Sequence, residues 1–252
     1  MGYRIAWVSE TGNRRKTNQD RWLALAEKRD GKAYALLAVA DGMGGLKQGD
    51  LASEKAVELL RQWWRTVGSQ QAAEQCSDAL DEVIYEIHRQ LFYLSQQQGA
   101  ALGTTLSVLV LAGKNYLFKQ VGDSRIYLRV KGNTTLLTTD QTWCNEAIAQ
   151  GLLAPEQAEN HWMRHALVNA LGASEELKID TGSGTAPNGA CFLLCSDGFY
   201  NGLPAPLESY TWANQKELDR LSEEILKGSA PDNLTAVLCR VSLYLQGGRS
   251  IT

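Results

Sequence analysis

Five aspartates of this 252-residue chain stand where strand-like runs begin or end. Asp41 closes the apolar run from Ala35 to Ala40 and enters Gly42-Met43-Gly44-Gly45. Asp197 follows the run from Cys191 to Cys195 and enters Gly198, whereas Asp20, Asp123 and Asp232 sit just ahead of strand-like segments. In an antiparallel sheet the exits of some strands and the entries of their neighbours share one rim, so all five carboxylates could converge there. Clustered carboxylates repel one another, and burying them unpaired is costly. Divalent cations remove that repulsion, and donors that are all oxygen select hard ions such as Mg²⁺ or Mn²⁺. Glycine beside such an aspartate lets the backbone approach an ion closely, so that the Gly42 carbonyl could also be a ligand. Any one Asp-Gly pair on its own reads first as a turn.

The elements that would position these residues can be read from periodicity. Tyr34 to Ala40, Leu106 to Leu111 and Cys191 to Cys195 are nearly continuous apolar runs, which suit strands covered on both faces. Asn115 to Val121 and Arg125 to Val130 flank Gly122-Asp123-Ser124 and read as a hairpin, and Leu234 to Val241 reads as a further strand. Two helices are expected between the early and middle strands. One carries Ala52, Ala56, Leu59, Leu60, Trp63 and Val67 on a stripe, the other Cys76, Leu80, Val83, Ile84, Ile87, Leu91 and Leu94. A third amphipathic helix is expected from Gln215 to Leu226. Strands, then consecutive helices, then more strands do not make a βαβ rhythm. The order predicts an α+β fold, a helix, sheet, sheet, helix sandwich of two antiparallel sheets. No linker, repeat or low-complexity tract divides the chain, so residues 1–252 are expected to form a single domain.

Composition excludes several other chemistries. Lys and Arg number 25 against 28 Asp and Glu, a net charge of -3, and the densest basic run is only Arg14-Arg15-Lys16. Neither a nucleic-acid face nor a polybasic membrane patch is expected from that balance. Cys76, Cys144, Cys191, Cys195 and Cys239 are odd in number and contain no Cys-x-x-Cys pair. They read as small buried hydrophobes in a reducing cytosol. The N-terminal residues lack the apolar region of a signal peptide, and no run approaches the length of a membrane span. A cytoplasmic, monomeric protein is the expectation.

Eight short motifs in order make the chain resemble the PPM (PP2C-like) family of metal-dependent serine/threonine phosphatases in its compact bacterial form. Arg15-Lys16-Thr17-Asn18-Gln19-Asp20 is similar to the family's R-x-x-N-(Q/E)-D, and Ala40-Asp41-Gly42-Met43-Gly44-Gly45 to its A-D-G-M-G-G. Gly103-Thr104-Thr105, Val121-Gly122-Asp123-Ser124-Arg125 and Leu137-Thr138-Thr139-Asp140 follow. Ala170-Leu171-Gly172, Leu194-Cys195-Ser196-Asp197-Gly198 and Asp232-Asn233-Leu234-Thr235 complete the series.

The resemblance implies an αββα sandwich, two Mn²⁺ or Mg²⁺ ions, and hydrolysis of phosphoserine and phosphothreonine by a water that the ions share and activate. It implies that Asp41 bridges the ions, with the Gly42 carbonyl on one and Asp197 and Asp232 on the other. Asp20 would hold metal-bound waters from behind, Arg15 would bind the substrate phosphate through its planar fork, and Asn233 would support the site by hydrogen bonds. Asp123 matches a residue of a third, weaker metal site. The implied partners are phosphoprotein substrates and a serine/threonine kinase of the same cell.

Three positions depart from the family pattern. Met43 stands where many eukaryotic members have a histidine proposed to protonate the leaving oxygen, so here a metal-bound water or solvent must serve. Asn201 replaces a frequent aspartate near the third metal site, and Gln141 follows Asp140 where histidine is usual. His88, beside Ile87 on the second helix, reads as a surface or half-buried residue. His161 and His165, spaced to pair on a metal if helical, lack the Glu of an HExxH motif. They fall in the segment that matches the family's flap, as do Trp143 and Trp162, and read as surface or substrate-contacting. Gly182-Ser183-Gly184 lacks the third glycine of a nucleotide loop and reads as a loop between strands. None of the cysteines sits in the Cys-x5-Arg loop of tyrosine phosphatases. A catalytically silent binding or sensing module and a phosphatase of small phosphoesters are the competing readings. Retention of Arg15, Asp41, Asp197 and Asp232 argues against the first.

Overall fold

The computed structural model describes residues 2–44, 48–66, 76–99 and 102–242. One sheet contains β1 (Gly2–Glu10), β7 (Arg125–Val130), β8 (Asn133–Leu136), β10 (Cys191–Cys195) and β11 (Leu234–Ser242), in the order β1-β11-β10-β7-β8. The other contains β2 (Asp20–Arg29), β3 (Lys32–Gly44), β5 (Leu106–Ala112), β6 (Asn115–Val121) and β9 (Asp180–Thr185) in the order β2-β3-β5-β6-β9, with the short β4 (Leu102–Thr104) paired to the end of β3. All pairings are antiparallel. The helices α1 (Gln48–Thr66) and α2 (Ser77–Gln98) cover the second sheet, and α5 (Asp197–Asn201) and α6 (Gln215–Lys227) cover the first. Two short helices, α3 (Trp143–Ala149) and α4 (Pro155–Ala158), lie between β8 and β9 in the chain.

Alternation along the strands builds three apolar layers. On β3, Ala35, Leu37 and Val39 point between the sheets, where they meet Phe192, Leu194, Val237 and Cys239. Leu36, Ala38 and Ala40 point the other way, onto Ala52, Ala56, Leu60, Ile84 and Ile87 of the helices. Leu193, Cys195, Ala236 and Leu238 do the same for α6, meeting Leu218, Leu221 and Ile225. Strands buried on both faces explain why their sequences are continuous apolar runs instead of alternating ones. The expected four-layer αββα sandwich is therefore the fold. Val67, placed on the first helical stripe by its spacing, lies outside the described residues.

Three expectations need correction. Gly122-Asp123-Ser124 does not close a hairpin: β6 pairs with β5 and β9, whereas β7 pairs with β10 and β8 in the opposite sheet. The segment crosses from one sheet to the other at Gly122, whose φ is +92°, and so carries Asp123 across the mouth between them. Gly182-Ser183-Gly184 is not a loop but part of β9, paired with Leu117 and its neighbours on β6. A Cβ on Gly182 would overlap the Phe118 ring, and one on Gly184 would stand 2.7 Å from the Tyr116 hydroxyl, so the glycines make room for aromatic rings. Finally, β3 does not stop at Asp41. It runs on to Gly44 because β4 supplies a new partner, pairing Gly42 with Thr104 and Met43 with Gly103.

Candidate active site

Asp41 continues the face of β3 that points between the sheets, two residues beyond Val39, and so stands at the mouth where that apolar layer ends. Asp20 lies directly opposite it in the β2–β3 register. Directly opposed like charges destabilise a sheet unless something neutralises them. Asp197 joins from the other sheet as the first residue of α5, within hydrogen-bonding reach of Asp41. Asp232 precedes β11, and Asp123 lies on the crossover. Each of the five aspartates is coupled electrostatically to at least one other.

The electrostatics follow from this crowding. Burial raises Asp20, despite hydrogen bonds from Ser196 and Thr235, to about 6, with repulsion from Asp197 and Asp232 adding to the rise. Burial also drives Asp41 well above the usual carboxylate range, followed by repulsion from Asp20, Asp197, Asp123 and Asp232. Asp123 is pushed to about 7 by burial and then by Asp197 and Asp140. Asp197 is raised by burial and Asp232, although Asp41 and His165 oppose the rise.

The surrounding threonines and serines fix these carboxylates. Asp41 donates its backbone N–H to Thr105 Oγ1 at 2.9 Å and accepts at its carbonyl from Thr104 Oγ1 and from the Thr105 N–H, each at 2.9 Å. Thr105 Oγ1 in turn meets Ser124 Oγ at 2.7 Å, beside Asp123. Ser196 Oγ donates to Asp20 Oδ2 at 2.7 Å and accepts from the Thr235 N–H at 3.0 Å. Asn233 accepts from the Gln19 N–H and donates to the carbonyls of Thr11 and Thr17, all at 2.9 Å. It thereby ties β11 to the loop that carries Arg15. Sequence reasoning named Asn233 but gave no role to Thr104, Thr105, Ser124, Ser196 or Thr235. All five lie inside the ordered motifs, which was the available signal.

The donor set fits hard divalent cations. Asp20 Oδ1 is buried without a hydrogen-bond partner and faces a cluster of anions. Gly42 leaves no room for a side chain, since a Cβ there would overlap the Gly49 carbonyl and stand 2.8 Å from that of Gln19. Among the described residues, no group of three His, Cys, Asp or Glu side chains is gathered closely enough to hold a metal ion.

Arg15 pairs with Asp232 at 2.7 Å, its side chain half exposed at the rim. A cleft of about 330 Å³ opens at Asp123 and is lined also by Tyr200, Asn201, Glu159, Arg164 and His165. Arg125 belongs to the same lining, paired with Asp140 at 2.7 Å and with its guanidinium 3.7 Å from the centre of the Tyr200 ring. The residues around His161 and His165 form turns, not a helix, so their spacing of four brings no pairing with it. His161 stacks between Trp143 and the exposed Trp162 instead. His88 is a correction: it is 4% exposed, buried under the segment that follows Leu171. Gln141 bridges three elements, accepting from the Gly122 N–H at 2.7 Å and from Asn169, and donating to Asp180 at 2.9 Å. Burial raises the thiols of Cys191, Cys195 and Cys239, which opposes a thiolate nucleophile.

The family model for protein phosphatase 2C matches residues 12–239. The chain belongs to the protein phosphatase 2C family. It is 31% identical over 245 residues to the serine/threonine phosphatase stp of Listeria innocua serovar 6a, covering 95% of this chain and 96% of that protein. Among solved structures it is similar to the Mycobacterium tuberculosis serine/threonine phosphatase PstP/Ppp, with a TM-score of 0.80 and 27% identity over 96% of this chain and all (100%) of that one. It is similar also to the catalytic domain of PstP in complex with two manganese ions, with a TM-score of 0.76 and 28% identity over 96% and 99% of the two chains. Membership of this protein phosphatase 2C family carries dependence on divalent metal ions with it.

Proposed function

We propose that this chain, acting as a single catalytic domain, hydrolyses phosphoserine and phosphothreonine in proteins with the help of two Mn²⁺ or Mg²⁺ ions. The observation that carries the reading is Asp20 opposed directly to Asp41, with Asp197 and Asp232 brought to the same mouth. Asp41, the Gly42 carbonyl, Asp197 and Asp232 would hold the ions. Asp123 would contribute to a third, weaker site, where Asn201 supplies an amide in place of a carboxylate. When bound, the ions supply Lewis acidity that lowers the pKa of water and draws charge from phosphoryl oxygens.

The chain's own residues do the rest. Asp20, fixed by Ser196, accepts hydrogen bonds from water at the mouth through its free Oδ1 and orients it. Arg15 turns its planar guanidinium from Asp232 to the substrate phosphate and neutralises charge there. Met43, 38% exposed at the rim, carries no transferable proton, so the leaving oxygen takes its proton from solvent in the cleft. The open cleft beside the rim suits an extended polypeptide better than an enclosed small phosphoester. Substrates would be phosphoproteins of a serine/threonine kinase in the same cytoplasm, met by the phosphatase as a monomer.

Purified protein should release phosphate from a chromogenic aryl phosphate in Mn²⁺ and stop in chelator. Asp197→Ala should be slower by roughly a hundredfold or more. Equal rates for the two proteins would identify a silent module. Sugar phosphates outcompeting phosphopeptides at equal concentration would assign a small-molecule substrate.

A further inference from the structure

The mechanism leaves His88 unused, yet it is the only buried histidine among the described residues and both of its ring nitrogens face backbone. The Gly172 N–H donates to Nδ1 at 3.2 Å, and Nε2 lies 3.3 Å from the Glu175 carbonyl. A neutral ring with its proton on Nε2 satisfies both contacts at once. The segment it holds is packed hard against α2. Gly172 has φ +80°, and a Cβ there would stand 2.6 Å from Leu91 Cβ and 2.9 Å from the Leu102 carbonyl. His88 therefore fixes a turn that has no room to shift toward the helix.

That turn leads directly to the site. Leu171 exchanges both backbone hydrogen bonds with Thr104, at 3.1 and 2.9 Å. Thr104 belongs to β4, a strand of three residues whose other edge pairs with Gly42, Met43 and Gly44. Its hydroxyl donates to the Asp41 carbonyl at 2.9 Å. A strand so short cannot hold its register by itself. Its position rests on β3 at one edge and on Leu171 at the other, and His88 secures the second.

We propose that His88 is a positioning residue for the phosphatase reaction, aligning the Asp41 carboxylate and Gly42 carbonyl through Gly172, Leu171 and Thr104. The proposal rests on the metal-dependent reading above. It explains why a polar ring occupies the apolar stripe of α2 between Ile84, Ile87 and Leu91. Leucine would fill that space and match the stripe, but would leave the Gly172 N–H buried and unpaired and release the Glu175 carbonyl from the helix.

Three variants of the full chain test it. His88→Leu keeps volume without polar atoms, His88→Asn places an acceptor where Nδ1 stands, and His88→Gln extends an amide toward the position of Nε2. The readouts are Mn²⁺ affinity by calorimetry, hydrogen exchange across residues 102–105 in chelator, and kcat and KM for a phosphopeptide. His88→Leu is expected to weaken Mn²⁺ binding and lower kcat by about tenfold or more, with KM little changed and exchange across β4 accelerated. His88→Asn is expected to restore Mn²⁺ affinity and slow exchange to near wild-type values, and His88→Gln to fall between. If His88→Leu does not fold, the ranking of Asn above Gln makes the same comparison. Wild-type Mn²⁺ affinity in His88→Leu, or equal impairment of all three variants, overturns the proposal. Mn²⁺ binding without turnover in the wild type would instead overturn the functional reading, while the affinity ranking still decides the role of His88.

Discussion

Arg15 donates to Asp232 Oδ2 at 2.7 Å, joining the residue expected to grip phosphate to one expected to hold a cation. The pair is half exposed, so the bond itself contributes little to stability and its exchange is easy. A guanidinium on Asp232 competes with a cation for the same oxygen. Arg15→Ala should therefore bind Mn²⁺ no more weakly than wild type while its KM for a phosphopeptide rises about tenfold, or about 1.4 kcal/mol. Arg15→Lys should recover only part of that, because a point charge cannot reproduce the two-pronged contact. Calorimetry and steady-state kinetics separate the two effects, and weaker Mn²⁺ binding by Arg15→Ala would contradict the assignment.

Gly42 is held where no side chain fits. A Cβ would overlap the Gly49 carbonyl at the start of α1 and press on that of Gln19. Both obstacles are backbone, so relief requires moving α1 or the Arg15 loop away from the mouth. Gly42→Ala should lose at least about tenfold in Mn²⁺ affinity. An alanine variant with wild-type affinity would show that the Gly42 carbonyl is not a ligand.

Asp20 links the site to pH. Its folded-state pKa, raised by burial to about 6 from the ordinary 3.8, lies above its unfolded value. The folded state then holds the proton more tightly, so this contribution to stability is present below pH ~4 and is lost as pH rises through ~6. In chelator, Asp20→Asn should gain in melting temperature relative to wild type across that window, by about 2–4 °C for each kcal/mol. Mn²⁺ should raise the wild-type melting temperature most at the upper end, where it no longer competes with protons. A difference that runs the other way with pH would refute the origin assigned to the shift.

Lys119 on β6 is 2% exposed and donates to Asp81 at 2.6 Å and to Ser77 at 3.0 Å at the start of α2. Removing Asp81 strands a buried ammonium. Asp81→Asn should cost on the order of 3 kcal/mol in urea unfolding, at the low end for such pairs because Asp81 itself keeps 32% exposure. Lys119→Met should cost less than Asp81→Asn. The opposite order would mean that the pair adds stability beyond what apolar packing gives.

The sandwich was legible because strands buried on both faces and amphipathic helices leave different periods in the sequence. What was not legible concerns partners distant in the chain. Gly122-Asp123-Ser124 has the letters of a hairpin, and only the pairing of β7 with β10 reveals a crossover. Gly182 and Gly184 look like a loop until the Phe118 and Tyr116 rings are seen to occupy the space above them. His88 read as a surface or half-buried residue because its partners, Gly172 and Glu175, lie more than eighty residues away. Gln141 departs from the family pattern in sequence, and its bridge from Gly122 to Asp180 and Asn169 explains how an amide serves at that place. The aspartates were readable as a group because strand ends can be located even where strand order cannot.

The most direct measurement is anomalous scattering from crystals soaked in Mn²⁺. Two peaks should lie at the mouth between the sheets, with Asp41 bridging them and Asp197 and Asp232 on one of the pair. A third, weaker peak is expected beside Asp123. No peak at Asp41, or Mn²⁺ bound only elsewhere on the chain, would contradict the account.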